Sequence, residues 1–239
     1  ILSDVLGDPL PDIASGPTVY STSTPADALA VLDRFSICGA VPEAVVRFLE
    51  AAGELPQDDG GWAKGCSTRV IGNNRTAVEA AATELRKRGY EVEVVPGDLV
   101  GEASVRGREL ALTARITEYP TATAVVFGGE TTVTVRGPGR GGRNQELALA
   151  AAVELEGAGN AVVLAGGTDG IDGLSENAGA VVDPTTTDRL RQLGIDPSEI
   201  LTKNDSGTAL EAIGDAIRTG PTGTTVCDVT LVLTAATNE

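Results

Sequence analysis

The sequence predicts an α/β protein whose parallel or mixed sheet is covered by helices on both faces. Two observations carry that reading. From Thr68 onward, short β-rich runs alternate with stretches of helical periodicity, and several of those runs are apolar throughout, as doubly covered strands are. At 239 residues with 41% hydrophobic content, the chain can also bury a sizeable core, as one large α/β domain or two small ones.

Taken in order, Ile1 to Val5 reads as a strand entering a Gly-Asp-Pro turn, as if the chain joined a fold in mid-course. The chain contains no Met, and the expectation is a fragment of a longer protein. Gly7 to Tyr20 is a loop. Thr24 caps a helix with Pro25 first and Asp27 in its third position, running to about Phe35. A second helix starts at Pro42, carries Val45, Val46, Phe48 and Leu49, and stops at Gly53; Glu54 to Gly65 is a loop holding Trp62. Thr68 to Gly72 is a short strand, and Asn73 or Asn74 caps a helix through Arg88 that Gly89 ends. Tyr90 to Val95 alternates as a strand, and Val100 to Glu118 reads as helix. A domain boundary is expected near Tyr119–Pro120.

Beyond it, Thr123 to Phe127 and Thr131 to Val135 read as the two strands of a hairpin around Gly128-Gly129-Glu130. Gly137 to Gly142 is a loop with four Gly in six residues. Asn144 to Glu156 is a helix whose Leu147, Ala148, Ala151 and Leu155 share an apolar face. Ala161 to Ala165 is a buried strand, Thr187 to Leu193 and Gly207 to Ile217 are helices, and Val226 to Leu233 closes the order as a strand.

Composition narrows the function. No apolar stretch approaches the ~20 residues that span a bilayer. Thirty-four acids against 18 bases give a formal charge of −16, which repels a nucleic-acid backbone. The acid-rich, lysine-poor balance is compatible with a high-salt cytoplasm and equally with an ordinary acidic cytoplasmic protein. Cys38, Cys66 and Cys227 are too few and too separated for a disulfide scaffold or a metal knuckle. The chain has no His, which removes His-based triads, zinc-hydrolase motifs and a His general base.

Three clusters have the chemistry of a site. In Gly137-Pro138-Gly139-Arg140-Gly141-Gly142-Arg143-Asn144-Gln145-Glu146, backbone N–H groups of the Gly residues and the start of the following helix suit an anion. Arg140 and Arg143 add charged forks for phosphate or carboxylate. The loop lacks the Gly-Lys-Ser/Thr end of a Walker motif and the βαβ context of a dinucleotide fingerprint, and it reads equally as a turn plus helix cap. In Gly166-Gly167-Thr168-Asp169-Gly170-Ile171-Asp172-Gly173, at a strand's carboxyl end, Asp169 and Asp172 can bind Mg²⁺ or cap turns. In Ser3-Asp4-Val5-Leu6-Gly7-Asp8-Pro9, two carboxylates flank a turn, and Ser15-Gly16 downstream can present a hydroxyl and an N–H to an anion. Glu130, Asn73-Asn74 and Lys203-Asn204-Asp205 are smaller candidates.

These motifs, with Ala14-Ser15-Gly16-Pro17-Thr18, Gly128-Gly129-Glu130-Thr131-Thr132-Val133, Asn204-Asp205-Ser206 and Thr219-Gly220-Pro221-Thr222-Gly223-Thr224, resemble in order the glycerate 2-kinase family, whose carboxy-terminal part is the MOFRL domain. The resemblance covers essentially the whole chain. It implies that residues 1–119 end a larger Rossmann-like domain and that residues 120–239 form a smaller α/β MOFRL domain with a mixed sheet. It further implies a missing amino-terminal half that supplies a lysine to the site, and a homodimer is compatible with it. The implied activity moves the γ-phosphoryl of ATP to the 2-hydroxyl of D-glycerate, in the cytoplasm, with Mg²⁺.

Carried onto this chain, the resemblance puts Arg143 on the transferring phosphoryl or the glycerate carboxylate, beside Gly139, Gly141, Gly142 and Asn144. Asp4 or Asp8, with Asp169, holds Mg²⁺ or orients the hydroxyl, and a carboxylate such as Asp169 accepts the proton. Glu130 holds the metal or positions Arg143. Ser15, Gly16, Thr168 and Asn204 complete the nucleotide contacts. The other readings are an NAD(P)H-dependent hydroxypyruvate reductase, for which no nicotinamide fingerprint is present, and a non-catalytic binding remnant.

Overall fold

The computed structural model describes residues 1–53, 65–117, 119–157 and 160–236, so the loop expected to hold Trp62 lies almost wholly outside the described residues. The chain divides into two units, Ile1–Asp8 with Val70–Glu239, and Pro9–Arg69.

In the Pro9–Arg69 unit, α1 (Pro25–Arg34) starts as the sequence predicts. Thr24 and Asp27 form a reciprocal capping box, and Pro25 takes the first turn. The α2 helix (Glu43–Ala51) follows, and neither helix contains a buried residue.

The other unit is built on a six-stranded sheet. In chain order its elements are α3 (Asn74–Lys87), β1 (Glu91–Glu102), α4 (Ala103–Ile116), β2 (Thr123–Thr132), α5 (Arg143–Leu155), β3 (Ala161–Gly167), β4 (Gly179–Val182), α6 (Thr186–Gln192), α7 (Pro197–Lys203), α8 (Ser206–Ile213), β5 (Ala216–Ile217) and β6 (Asp228–Thr234). The strand order is β1-β2-β6-β3-β4-β5. Only the β1–β2 pairing is parallel among the named strands, so the sheet is mixed. The boundary expected near Tyr119–Pro120 falls between α4 and β2, two elements of this sheet unit.

Period-two alternation fills both faces of the sheet. Ala124 and Val126 of β2 and Leu231 and Leu233 of β6 pack with Val78, Ala82 and Leu85 of α3. Val125 and Phe127 of β2 and Val232 of β6 turn to the opposite face, against α4 and α5. The α5 helix is buried along nearly its whole length, between α4, the sheet and the α6–α8 group.

Several elements differ from the expected ones. The two strands expected at Ile1–Val5 and Thr68–Gly72 reduce to one parallel bridge, Leu2 to Gly72, after which Asn73 already caps α3. The strand beginning at Tyr90 runs on through Pro96-Gly97 to Glu102, and the helix begins only at Ala103. A register shift between Val94 and Asp98 absorbs the Pro, which an edge strand tolerates. The hairpin around Gly128-Gly129 is instead one continuous strand, β2. There the Gly pair admits close neighbours: a Cβ on Gly128 would collide with Asn74 Oδ1, and one on Gly129, at φ +139°, with the Leu99 backbone. The helix expected over Gly207–Ile217 ends at Ile213, where Gly214 turns left-handed and frees Ala216–Ile217 to pair with β4. The β4 strand and the α7 helix were not legible as elements.

Candidate active site

The antiparallel strand β6 begins between the carboxyl ends of β2 and β3, so its first residue, Asp228, stands opposite Gly129 on one side and Gly167 on the other. Neither neighbour carries a side chain, which leaves room for a buried carboxylate at the end of the sheet. Asp228 is only 5% exposed. Arg143, the first residue of α5, reaches it with two hydrogen bonds, Nε to Oδ2 at 2.5 Å and Nη2 to Oδ1 at 2.9 Å. Glu130, on β2, pairs with Nη2 from the other side at 3.1 Å.

This clamp leaves the two N–H groups of Nη1 without a partner among the described residues, while the guanidinium is about one-third exposed. Burial opposes the Arg143 charge, but the Asp228 hydrogen bonds and the charges of Asp228, Glu130 and Asp172 outweigh it and hold the group firmly protonated. Beside the clamp, Cys227 adopts φ 63° and donates Sγ–H to the Asp4 carbonyl at 2.9 Å. Burial, with Glu130, Asp228 and Asp4 nearby, pushes its thiol up to about 12.

The helix start is already filled. Asp172, 1% exposed, accepts from the backbone N–H of Asn144 at 3.1 Å and of Gln145 at 2.8 Å, and from both side-chain amides. Burial raises the Asp172 pKa, and these four bonds oppose the rise. The positive end of α5 thus meets a carboxylate belonging to the chain. The Gly-rich loop is likewise packed rather than open. Gly139 N–H donates to the Lys203 carbonyl, and Arg140 N–H to Asp205. Cβ atoms on Gly139 and Gly142 would strike Asp205 and Asp172 respectively. Asn204, left-handed at φ 53°, takes the N–H groups of Arg136 at 2.6 Å and Gly137 at 3.1 Å. Its own Nδ2 donates to Glu146 Oε2 at 3.0 Å.

These elements enclose a cavity of about 570 Å³. Glu130, Gly139, Gly141, Gly142, Arg143 and Asn204 all line it, so the structure brings together these six candidates. Leu6, Val133, Val135 and Leu174 give it apolar walls. Asn144 lies beneath, fully engaged with Asp172 and buried.

The other candidates stand elsewhere. Asp8 accepts from Asn73 Nδ2 at 2.5 Å and lines a smaller cavity of about 160 Å³ with Asn74, Asp98 and Gly128. Asp4 is exposed. Thr168 is a tie, bonding the Cys227 carbonyl at 2.7 Å and the Val226 N–H at 2.8 Å. Asp169 caps its own turn through Ile171 N–H at 3.0 Å. Ser15 and Gly16 belong to the Pro9–Arg69 unit, where both are left-handed. Among the described residues, no three acidic or Cys side chains form a metal cage. Mg²⁺ carried on phosphate oxygens needs only one or two carboxylates, and the half-exposed Asp169, with a second carboxylate oxygen beyond its turn bond, fits that demand. Sequence reasoning missed Asp228, whose place opposite Gly129 and Gly167 shows only in the register of the folded sheet. It also missed Glu146.

Residues 123–228 match the MOFRL family, and residues 1–50 match a domain of unknown function, DUF4147. The D-glycerate 2-kinase of Thermotoga maritima is 39% identical over 238 residues, covering 98% of this chain and 55% of that relative. A crystal structure of glycerate kinase from the same organism superposes with a TM-score of 0.83 at 39% identity, over 98% of this chain and 56% of that one. Glycerate kinase of Macaca fascicularis is 32% identical, with 97% of this chain covering 70% of that relative. The chain belongs to the glycerate 2-kinase family. A protein named putative hydroxypyruvate reductase, from Agrobacterium vitis, is 42% identical over 98% of this chain and 54% of its own length. The chain spans about half the length of the Thermotoga and Agrobacterium relatives it matches. Among the described residues, no helix is long and apolar enough to cross a membrane.

Proposed function

We propose that the protein of which this chain forms part transfers the γ-phosphoryl of ATP to the 2-hydroxyl of D-glycerate, giving 2-phosphoglycerate, in the cytoplasm. The observation that supports this reading is the Arg143 clamp: a guanidinium fixed by Asp228 and Glu130, with Nη1 left for an anion at the wall of a ligand-sized cavity. Phosphoryl transfer asks mainly for positioning and for neutralisation of charge on the equatorial oxygens. A preset guanidinium supplies both without reorganising.

In this reading Arg143 binds the transferring phosphoryl or the glycerate carboxylate, and Glu130 positions it. Gly139, Gly141 and Gly142, packed on their far side against Asp205, Ser206 and Asp172, form part of the wall that faces the ligand, and Asn204 braces it. Asp169, with Asp4 or Asp8, faces the metal. Mg²⁺, when bound, supplies further neutralisation of the phosphate oxygens. Ser15, Gly16 and Thr168 serve the nucleotide, residues 1–119 complete a Rossmann-like domain, and residues 120–239 form the MOFRL domain.

The test is a coupled assay of the whole protein, with the region its longer relatives carry, alongside this chain alone. ATP- and Mg²⁺-dependent formation of 2-phosphoglycerate from D-glycerate is expected from the whole protein. NAD(P)H oxidation with hydroxypyruvate and no ADP release would overturn the kinase reading in favour of a reductase.

A further inference from the structure

Glu146 sits three residues after Arg143 on α5, on the same helix face, and both residues line the 570 Å³ cavity. Glu146 is 4% exposed. Its Oε2 is held by Asn204, and Asn204 is itself pinned by the Arg136 and Gly137 N–H groups, so the carboxylate has a fixed direction. Arg143 gives its bonds to Asp228 and Glu130 instead of to Glu146. A buried carboxylate with one neutral hydrogen bond is costly to keep, which makes it a candidate for chemistry in the wall of a cleft.

We propose that Glu146 is a catalytic residue that accepts the proton of the attacking substrate hydroxyl. This rests on the kinase reading. The hydroxyl oxygen forms a bond to the γ-phosphorus of ATP, and the bond from that phosphorus to the bridging oxygen breaks. The electron pair leaves with ADP, and the hydroxyl proton passes to the Glu146 carboxylate. Asn204 is the positioning residue that aims it. Asp169, the carboxylate expected for this role, is not among the walls of the cavity.

Burial raises the Glu146 pKa, with the Asn204 bond opposing. Glu102 and Asp172 add to the rise, and Arg136 counters it. A base of this kind loses activity as pH falls through its raised pKa.

The experiment measures kcat, KM and the pH profile of kcat/KM for D-glycerate in the whole protein, its Glu146→Gln variant and its Glu146→Asp variant, with a thermal melt of each. Glu146→Gln is expected to lower kcat by about 10²-fold or more and to abolish an acid limb lying above the usual carboxylate range. Glu146→Asp should recover part of kcat and keep the limb. Parental kcat and an unchanged limb in Glu146→Gln would overturn the proposal while leaving the kinase reading intact. If Glu146→Gln does not fold, Glu146→Asp decides: a reduced kcat with the limb retained supports the role, and a parental kcat overturns it. A parent unable to phosphorylate D-glycerate would overturn the kinase reading and this role with it.

Discussion

Arg143 and Asp228, 85 residues apart in sequence, meet through two parallel hydrogen bonds that fix the plane of the guanidinium. A lysine cannot reproduce a two-point contact and still present N–H groups to the cavity. Arg143→Lys is therefore expected to lower kcat by about 10²-fold or more, with a smaller change in a urea melt. Steady-state kinetics on the whole protein check this, and an unchanged kcat/KM would place Arg143 outside the chemistry.

Asp172 joins the start of α5 to the turn after β3, and its four donors leave no place for an amide N–H. Asp172→Asn turns a donor toward donors and is expected to cost about 1–3 kcal/mol in chemical denaturation. Its folded pKa lies above the ordinary 3.8, so the stability it contributes is fully present below that value and is lost as pH rises through the raised pKa. Urea melts across that window should show a shallower decline for Asp172→Asn than for the parent. Equal slopes would show that Asp172 titrates alike in both states.

Asp169 caps a turn with one carboxylate oxygen, a task that Asn performs as well. Asp169→Asn should therefore keep the parental melt, while its Mg²⁺ midpoint for kcat/KM at fixed ATP moves to higher concentration, since carboxylate charge carries much of a hard cation's attraction. A parental rate and a parental midpoint would reduce Asp169 to its turn.

Cys227 and Cys66 are expected to differ sharply toward alkylation. Cys66 is exposed, whereas Cys227 is buried with its thiol pushed up to about 12, so little thiolate forms near neutral pH. Iodoacetamide treatment of the folded protein at pH 8, followed by peptide mass mapping, should label Cys66 and spare Cys227. Equal labelling would contradict the packed arrangement around Asp4 and Glu130.

The strand–helix rhythm made most of the sheet unit legible, because alternating and fully apolar runs report how many faces a strand buries. Where Gly carried the meaning, the reading failed. Gly128-Gly129 looks like a turn in sequence but lies in mid-strand, since only contact with Asn74 and Leu99 reveals why no side chain fits there. The Gly-rich loop before α5 was legible as part of a candidate site, and the packing purpose of its glycines was not. Its partners, Asp172 and residues 203–205, are distant in sequence. Asp228 was hidden for the same reason: its importance lies in a neighbour 85 residues away.

The position of β6 has a consequence for how the molecule forms. The strand β6, which follows the other five described strands in sequence, lies between β2 and β3, so until residues 228–234 arrive, β2 and β3 each lack the partner that β6 supplies. Pairing so distant in the chain delays folding, and apolar edges waiting in the meantime invite aggregation. During synthesis the nascent sheet stays split into two halves. The same late event that joins them also delivers Asp228 to Arg143.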